Sequence, residues 1–174
     1  MNAVVVYESM YGNTRAVANA IAEGLGEAAV CPVHEAPETF DGVDLLIVGG
    51  PTHIHGLASN LNRGSARDEA KKAGHDVIEE ARAEPGLRMW LNDLPALDEL
   101  HAAAFDTRIA RARWFTGTAA RSIARRLRAH GCNVIAAESF LVGDMEGPLE
   151  PGELERARAW GAELLARVAN SVPA

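Results

Sequence analysis

Apolar residues fall along the chain in two alternating patterns: short unbroken runs, and longer stretches with an apolar position every three or four residues. Ala3–Tyr7, with Val4, Val5 and Val6 adjacent, reads as a strand covered on both faces. Asn13–Leu25 follows, with Val17, Ile21 and Leu25 four apart on one helical face. Ala29–His34 is a second, shorter strand, Pro37–Val43 a turn or a single helical loop, and Asp44–Gly49, "DLLIVG", a third strand. Ala66–Ala83 reads as a mostly polar helix whose thin stripe of Ala70, Ala73, Val77 and Ala81 places it at the periphery. Gly86–Leu100 offers Trp90, Leu91, Leu94 and Leu97 for a short helix packed on the sheet. Ala102–Asp106 is a fourth strand. Thr118–His130 is a helix with Ala120, Ile123, Ala124 and Leu127 inward and arginines outward, closed by Gly131. Asn133–Val142 is a fifth strand, and Glu153–Val168 a last helix striped by Leu154, Ala157, Gly161, Leu164 and Val168.

Strands separated by helices pair in parallel through right-handed crossovers, which put helices on both faces of one sheet. The expected architecture is α/β: a doubly wound five-stranded parallel sheet in a three-layer α/β/α sandwich. The 174 residues suit one domain, 1–174, with a long helical segment, 57–100, after the third strand. In such sheets ligands sit beyond the carboxyl ends of the strands. Three loops leave that edge, after the first, third and fourth strands.

Charge narrows the partners. A net charge of −7 argues against nucleic acid, which requires a basic footprint. Between Ala103 and Gly131, however, seven arginines meet one acid, a local balance of +6 that leaves −13 on the remainder. The two cysteines, Cys31 and Cys132, have no metal-like spacing and read as small apolar residues beside strands. No charged-then-apolar leader and no membrane-spanning run is visible, so the expectation is a cytoplasmic protein without membrane insertion.

The first loop carries the most pointed chemistry. Ser9-Met10-Tyr11-Gly12-Asn13-Thr14 lies between a strand and a helix, where free N–H groups and the helix dipole attract an anion without help from a lysine. Gly12 permits close backbone approach, Ser9 and Thr14 bring hydroxyls, and Asn13 brings an amide, which together suit a phosphate monoester. The loop is neither a Walker A sequence nor a three-glycine dinucleotide fingerprint.

That strand-Ser-x-x-Gly-Asn-Thr-helix pattern resembles the phosphate loop of flavodoxins. The resemblance implies that FMN places its 5′-phosphate there, and it implies the sheet order 2-1-3-4-5. After the third strand, Gly49-Gly50-Pro51-Thr52-His53-Ile54-His55-Gly56 is similar to the family's second loop, beside the isoalloxazine ring. Phe105-Asp106-Thr107, followed by Trp114-Phe115-Thr116-Gly117, is similar to its third. The implied cofactor contacts are therefore Ser9, Met10, Tyr11, Gly12, Asn13, Thr14, Pro51, Thr52, His53, Ile54, His55, Gly56, Asp106, Thr107 and Trp114. Asp106 and Thr107 are expected to orient their loop, and Trp114 to wall one face of the ring. One departure stands out. Typical flavodoxins place a large apolar group in the second loop, where this chain has His53 and His55; a protonated histidine beside the ring would favour reduced flavin.

The function the resemblance implies is FMN-borne transfer of one or two electrons. The partner is a redox protein or reductase, acidic in character, docking near the arginine-rich loop 108–113. Two alternatives stand beside it. One is an FMN-dependent oxidoreductase similar to quinone reductases or to protoporphyrinogen oxidase, for which the segment after Gly56 would build a substrate wall. The other is a flavin-free interaction domain on the same fold, because fold does not fix function.

Overall fold

The computed structural model describes residues 1–52, 84–110, 118–144 and 146–171. The strands are Ala3–Tyr7 (β1), Ala28–Pro32 (β2), Leu45–Pro51 (β3), His101–Ile109 (β4) and Asn133–Val142 (β5). The α-helices among the described residues are Asn13–Leu25 (α1), Leu87–Asp93 (α2), Ala119–Ala129 (α3) and Glu153–Ser171 (α4). All strand pairs are parallel, and the sheet runs β2-β1-β3-β4-β5, the order implied by the flavodoxin resemblance.

The near-continuous apolar runs have the reason expected of them: both faces of the sheet are covered. Val4, Val6, Leu46, Val48, Ala102 and Ala104 face α2 and α3, with Leu87, Leu91, Ile123 and Leu127. Val5, Tyr7, Leu45, Ile47, Ala103 and Phe105 face α1 and α4, with Val17, Ile21, Trp160 and Leu164. Val5, Val6 and Leu45–Val48 are completely buried, each such side chain contributing about 1.5–3 kcal/mol of hydrophobic stabilisation.

Helices α1 and α4 cross at glycine. A Cβ built on Gly24 would overlap the Arg158 carbonyl and lie 3.1 Å from the Ala162 nitrogen. One built on Gly161 would overlap the Ile21 carbonyl and lie 3.2 Å from the Gly24 Cα. The two helices thus meet backbone to backbone. Gly49 is excluded space of another kind, since the Phe105 ring occupies the volume its Cβ would need.

Several boundaries differ from the sequence reading: β2 ends at Pro32 rather than His34, β3 runs on to Pro51, and α4 to Ser171. β4 continues past Asp106 to Ile109, because Thr107 and Arg108 are buried in pairing with β5 despite their polarity. The helix expected over Gly86–Leu100 ends at Asp93. Leu94 is extended ahead of Pro95, as steric clash with the proline ring requires. The turn expected within Pro37–Val43 is present, closed by the Val43 N–H on the Phe40 carbonyl (3.1 Å), and a short 3-10 turn not foreseen in the sequence lies at Val33–Glu35, directly after β2. The helix expected over Ala66–Ala83 lies outside the described residues.

Candidate functional site

β1 delivers the chain to the carboxyl edge at Glu8, whose N–H donates to the Gly49 carbonyl (3.0 Å) and whose Oε2 accepts the Leu87 N–H (3.3 Å). The turn then folds on its own hydroxyl: Ser9 Oγ accepts the Gly12 N–H (3.1 Å). Gly12 sits at φ +89°, a left-handed backbone that any β-carbon would strain. It is the N-cap of α1. No side chain caps that end, and no acid occupies the first turn. Helix α1 therefore points the positive end of its dipole and the amides of Asn13 and Thr14, which have no intrahelical acceptor, at the edge, with no acid of its own first turn opposite them.

Thr14 and Ser9 are both 2 % exposed, and a hydroxyl proton is left over beside each. Thr14 Oγ1 lies 2.8 Å from Thr107 Oγ1. Two hydroxyls share that bond and use one proton, so the other remains to be donated. Ser9 accepts with its oxygen and likewise retains its proton. Met10 is buried and Tyr11 half-buried. The Tyr11 hydroxyl is pushed above its usual range by burial and then by the charge of Glu146.

Asn13 has a different engagement. Its Nδ2 donates to the Glu146 carbonyl (2.7 Å), which pins the loop after β5 against the turn between β1 and α1. Gly147, at φ +109°, fits there because a Cβ would come 2.7 Å from Asn13 Oδ1. This fourth loop, 143–152, was missed by the sequence reading. The contact spans 133 positions and no local pattern announces it; the only hint was the density of glycine and proline before α4.

The second and third loops meet in a polar knot. Pro51 pairs with Thr107 across β3 and β4, and the Thr52 N–H donates to the Thr107 carbonyl (2.8 Å). Thr52 Oγ1 donates to Asp106 Oδ2 (2.9 Å) and accepts the Ala119 N–H (3.0 Å), while the Ala120 N–H donates to the same Asp106 oxygen (2.9 Å). Thr52 and Asp106 thereby satisfy the first amides of α3, which the sheet would otherwise bury without acceptors. Asp106 is fully buried. Burial pushes its carboxyl up, opposed by the Ala120 N–H, the Ser139 and Thr52 hydroxyls and the charge of Arg108. Its Oδ1 closes no hydrogen bond of good geometry among the described residues.

Ser9, Met10, Tyr11, Gly12, Asn13, Thr14, Pro51, Thr52, Asp106 and Thr107 are thus brought to one edge. His53, Ile54, His55, Gly56 and Trp114 lie outside the described residues, as do Arg111 and Arg113. Two cavities, of about 770 and 950 Å³, open at the opposite, amino edge, beside His101 and beside Ala28. Among the described residues, no cluster of three or more His, Cys, Asp or Glu could hold a metal ion, and no helix is long and apolar enough to cross a membrane.

A protein-family model described as flavodoxin matches residues 5–105, more than half of the chain. No curated protein matches it. Among solved structures, a flavodoxin from the domain Archaea aligns at a TM-score of 0.62 and 17% identity, over 97% of this chain and 99% of that one. Oxidised flavodoxin 1 from Bacillus cereus aligns at 0.60 and 16% identity, over 99% and 100%. A mutant flavodoxin from Pseudomonas aeruginosa aligns at 0.64 and 15% identity, over 97% and 99%. At such identities the structural likeness speaks for the fold alone; the family model is what reaches the sequence of the first loop and of the second up to Gly56 and beyond.

Proposed function

The chain belongs to the flavodoxin family, and from that premise we propose that it is a single-domain carrier, residues 1–174, which holds FMN at the carboxyl edge of its sheet and passes one or two electrons to a partner protein. The observation that carries this reading is the start of α1: a left-handed glycine cap with no capping side chain and no acid in the first turn, flanked by the buried Ser9 hydroxyl, which has its proton to give, and by the buried Thr14–Thr107 hydroxyl pair, which has one to give between them. That donor set suits a doubly charged phosphate oxygen cluster and needs no cationic side chain. Ser9, Met10, Tyr11, Gly12, Asn13 and Thr14 would surround the phosphate. Pro51–Gly56, Asp106, Thr107 and Trp114 would bound the ring, with Thr52, Asp106 and Thr107 acting through the backbone they hold in place. Bound flavin supplies the redox chemistry; the chain supplies orientation and access. We place the partner contact near the arginine-rich loop 108–113.

Titration of the purified apo-protein with FMN and with riboflavin tests the proposal. One FMN per chain is expected, with riboflavin markedly weaker because it lacks the phosphate. Thr14→Ala should weaken FMN by about 1 kcal/mol, roughly fivefold, through one lost hydrogen bond. A protein that binds no FMN refutes the reading, and equal affinity for the two flavins removes the phosphate from α1.

A further inference from the structure

Helix α3 carries Arg121, Arg125, Arg126 and Arg128 and no acid. Among the described residues none of the four forms an ion pair. The chain does pair arginines elsewhere. On α4, Arg156 meets Glu153 and Glu138, Arg158 meets Glu23 and Glu155, and Arg167 meets Glu163. On α3, Arg126 instead donates to the neutral Asn92 Oδ1 on α2 (2.6 Å). Its guanidinium is disfavoured by partial burial and by Arg88 and Arg125 beside it. Like charges are thus gathered, with Arg121, Arg125 and Arg128 exposed and Arg126 half-buried beside them, an arrangement that raises the free energy of the isolated protein and is relieved by an anionic surface.

The position of α3 says what kind of surface. Its first amides bond Thr52 and Asp106 at the carboxyl edge, so Arg121 lies within one turn of that edge and Arg128 about 10 Å further along the axis. The chain as a whole is −7, and the four arginines leave −11 elsewhere. An extended polyanion, whether nucleic acid or a charged membrane, would meet that excess negative charge as well. A compact acidic patch would meet the arginines alone. A symmetric dimer through this face would bring two four-arginine helices together, because an isologous contact apposes the same surface on both subunits.

We propose that the α3 face formed by Arg121, Arg125, Arg126 and Arg128 docks an acidic electron-transfer protein and sets that partner's redox centre over the carboxyl edge. The charge complementarity stands on α3 itself; only the electron-transfer purpose rests on the flavin reading. Partner approach is steered by charge and therefore falls steeply with ionic strength.

The test compares the parent with the triple variant Arg121→Glu, Arg125→Glu, Arg128→Glu, which leaves Arg126 and its Asn92 bond in place. In one arm, the FMN-loaded, photoreduced protein is mixed in a stopped flow with an acidic blue-copper protein and, separately, with basic cytochrome c. The variant should reduce the copper protein at least about tenfold more slowly at low salt, with the difference closing as salt is raised, and cytochrome c no more slowly than the parent does. In the second arm, which needs no flavin, a fluorescein-labelled dodecaglutamate peptide is followed by anisotropy, and the variant should bind about tenfold more weakly or worse. If the protein takes up no flavin, the flavodoxin reading fails while the peptide arm still decides the surface. Unchanged copper-protein rates and peptide affinity overturn the proposal. So does arginine-dependent binding to phosphatidylserine vesicles that exceeds binding to the peptide, since the surface would then be a membrane contact. A triple variant with glutamine at the same positions replaces the charge reversal if the latter does not fold.

Discussion

The crossing of α1 and α4 makes a prediction in which two effects oppose each other and the structure decides between them. Replacing glycine by alanine inside a helix ordinarily stabilises, by about 1 kcal/mol, through lower backbone entropy in the unfolded chain and better helix propensity. Gly24 and Gly161 are interior to their helices and should follow that rule if nothing lay opposite. Instead, a Cβ on Gly24 would lie 2.8 Å from the Arg158 carbonyl carbon and inside its oxygen, and one on Gly161 would lie 3.1 Å from the Ile21 carbonyl carbon, again inside its oxygen. The obstacles are backbone atoms, which cannot rotate away as a side chain does. Relief requires the helices to part by about 1 Å, and a gap of that size forfeits a quarter to a half of each dispersion contact along the interface. That interface includes Val17, Ala18, Ile21, Ala157 and Leu164, all completely buried. Overpacking of this kind costs about 1–3 kcal/mol, and contact with backbone puts these sites at the upper end. The net expectation is a loss of about 1–2 kcal/mol for Gly24→Ala and for Gly161→Ala, a drop in Tm of about 2–8 °C at this chain length. The double variant should lose less than the sum, because helices already parted accommodate the second methyl group. Urea and thermal unfolding of the flavin-free protein measure all three. A rise in Tm for either single variant would mean that propensity wins and that the helices are not in backbone contact.

Two buried carboxyls give pH signatures of opposite sign. Burial raises the folded pKa of Asp106 above its ordinary 3.8, so its contribution to stability is most favourable below that value and declines as pH rises through the folded pKa. The stability of Asp106→Asn relative to the parent should therefore improve as pH is raised from about 4 toward 7, read from urea midpoints; a difference that moves the other way would show the charge to be well solvated. For Glu153, burial pushes up, but the Arg156 guanidinium and the Leu141 N–H (2.6 Å) outweigh it, and the folded pKa lies below the ordinary 4.5. Its contribution is present above that ordinary value and lost as pH falls through the folded one. Glu153→Gln should cost about 1–2 kcal/mol at neutral pH, discounted because the Arg156 side chain is 39 % exposed. The cost should shrink in acid, and a cost independent of pH would dissociate Glu153 from the pair.

Much of the scaffold could be read from hydrophobic periodicity because its determinants are local. β1, α1 and β5 run Ala3–Tyr7, Asn13–Leu25 and Asn133–Val142, as the pattern predicts. Where it missed the length of β4, the cause was tertiary. Thr107 and Arg108 end an apolar run and look like loop, yet β5 supplies strand partners for both and Thr14 a hydroxyl for Thr107. The first loop could be picked out as the turn between β1 and α1 because its residues are contiguous, six in all. The link from Asn13 to Glu146, and the sharing of Asp106 between Thr52 and Ala120, join residues 133, 54 and 14 positions apart and leave no trace in any local window. Asp106 and Thr107, expected to orient their loop, sit where that role is possible, although the same neighbourhood could not be foreseen to cap α3.

At this edge, structural roles and the proposed ligand-facing roles fall on the same residues, and they can be separated by which atom is used. Thr52, Asp106 and Asn13 direct side-chain atoms at neighbouring loops and helix ends. What remains for an incoming anion is backbone N–H of α1 and the spare protons of Ser9 and of the Thr14–Thr107 pair. Such a site is organised before its ligand arrives, so binding costs little ordering of side chains. The consequence separates two kinds of damage. On the proposed placement of the flavin, loosening the Thr52–Asp106 knot would disturb the loops around the ring, and should lower affinity for FMN and riboflavin together. Removing a proton donor at the turn would weaken the proposed phosphate contact, and should lower affinity for FMN while leaving riboflavin unchanged. Thr14→Ala is the sharper case, because it takes one donor from the turn and also leaves Thr107 without its partner. A parallel loss for both flavins would reassign Thr14 from holding phosphate to holding β4 against α1.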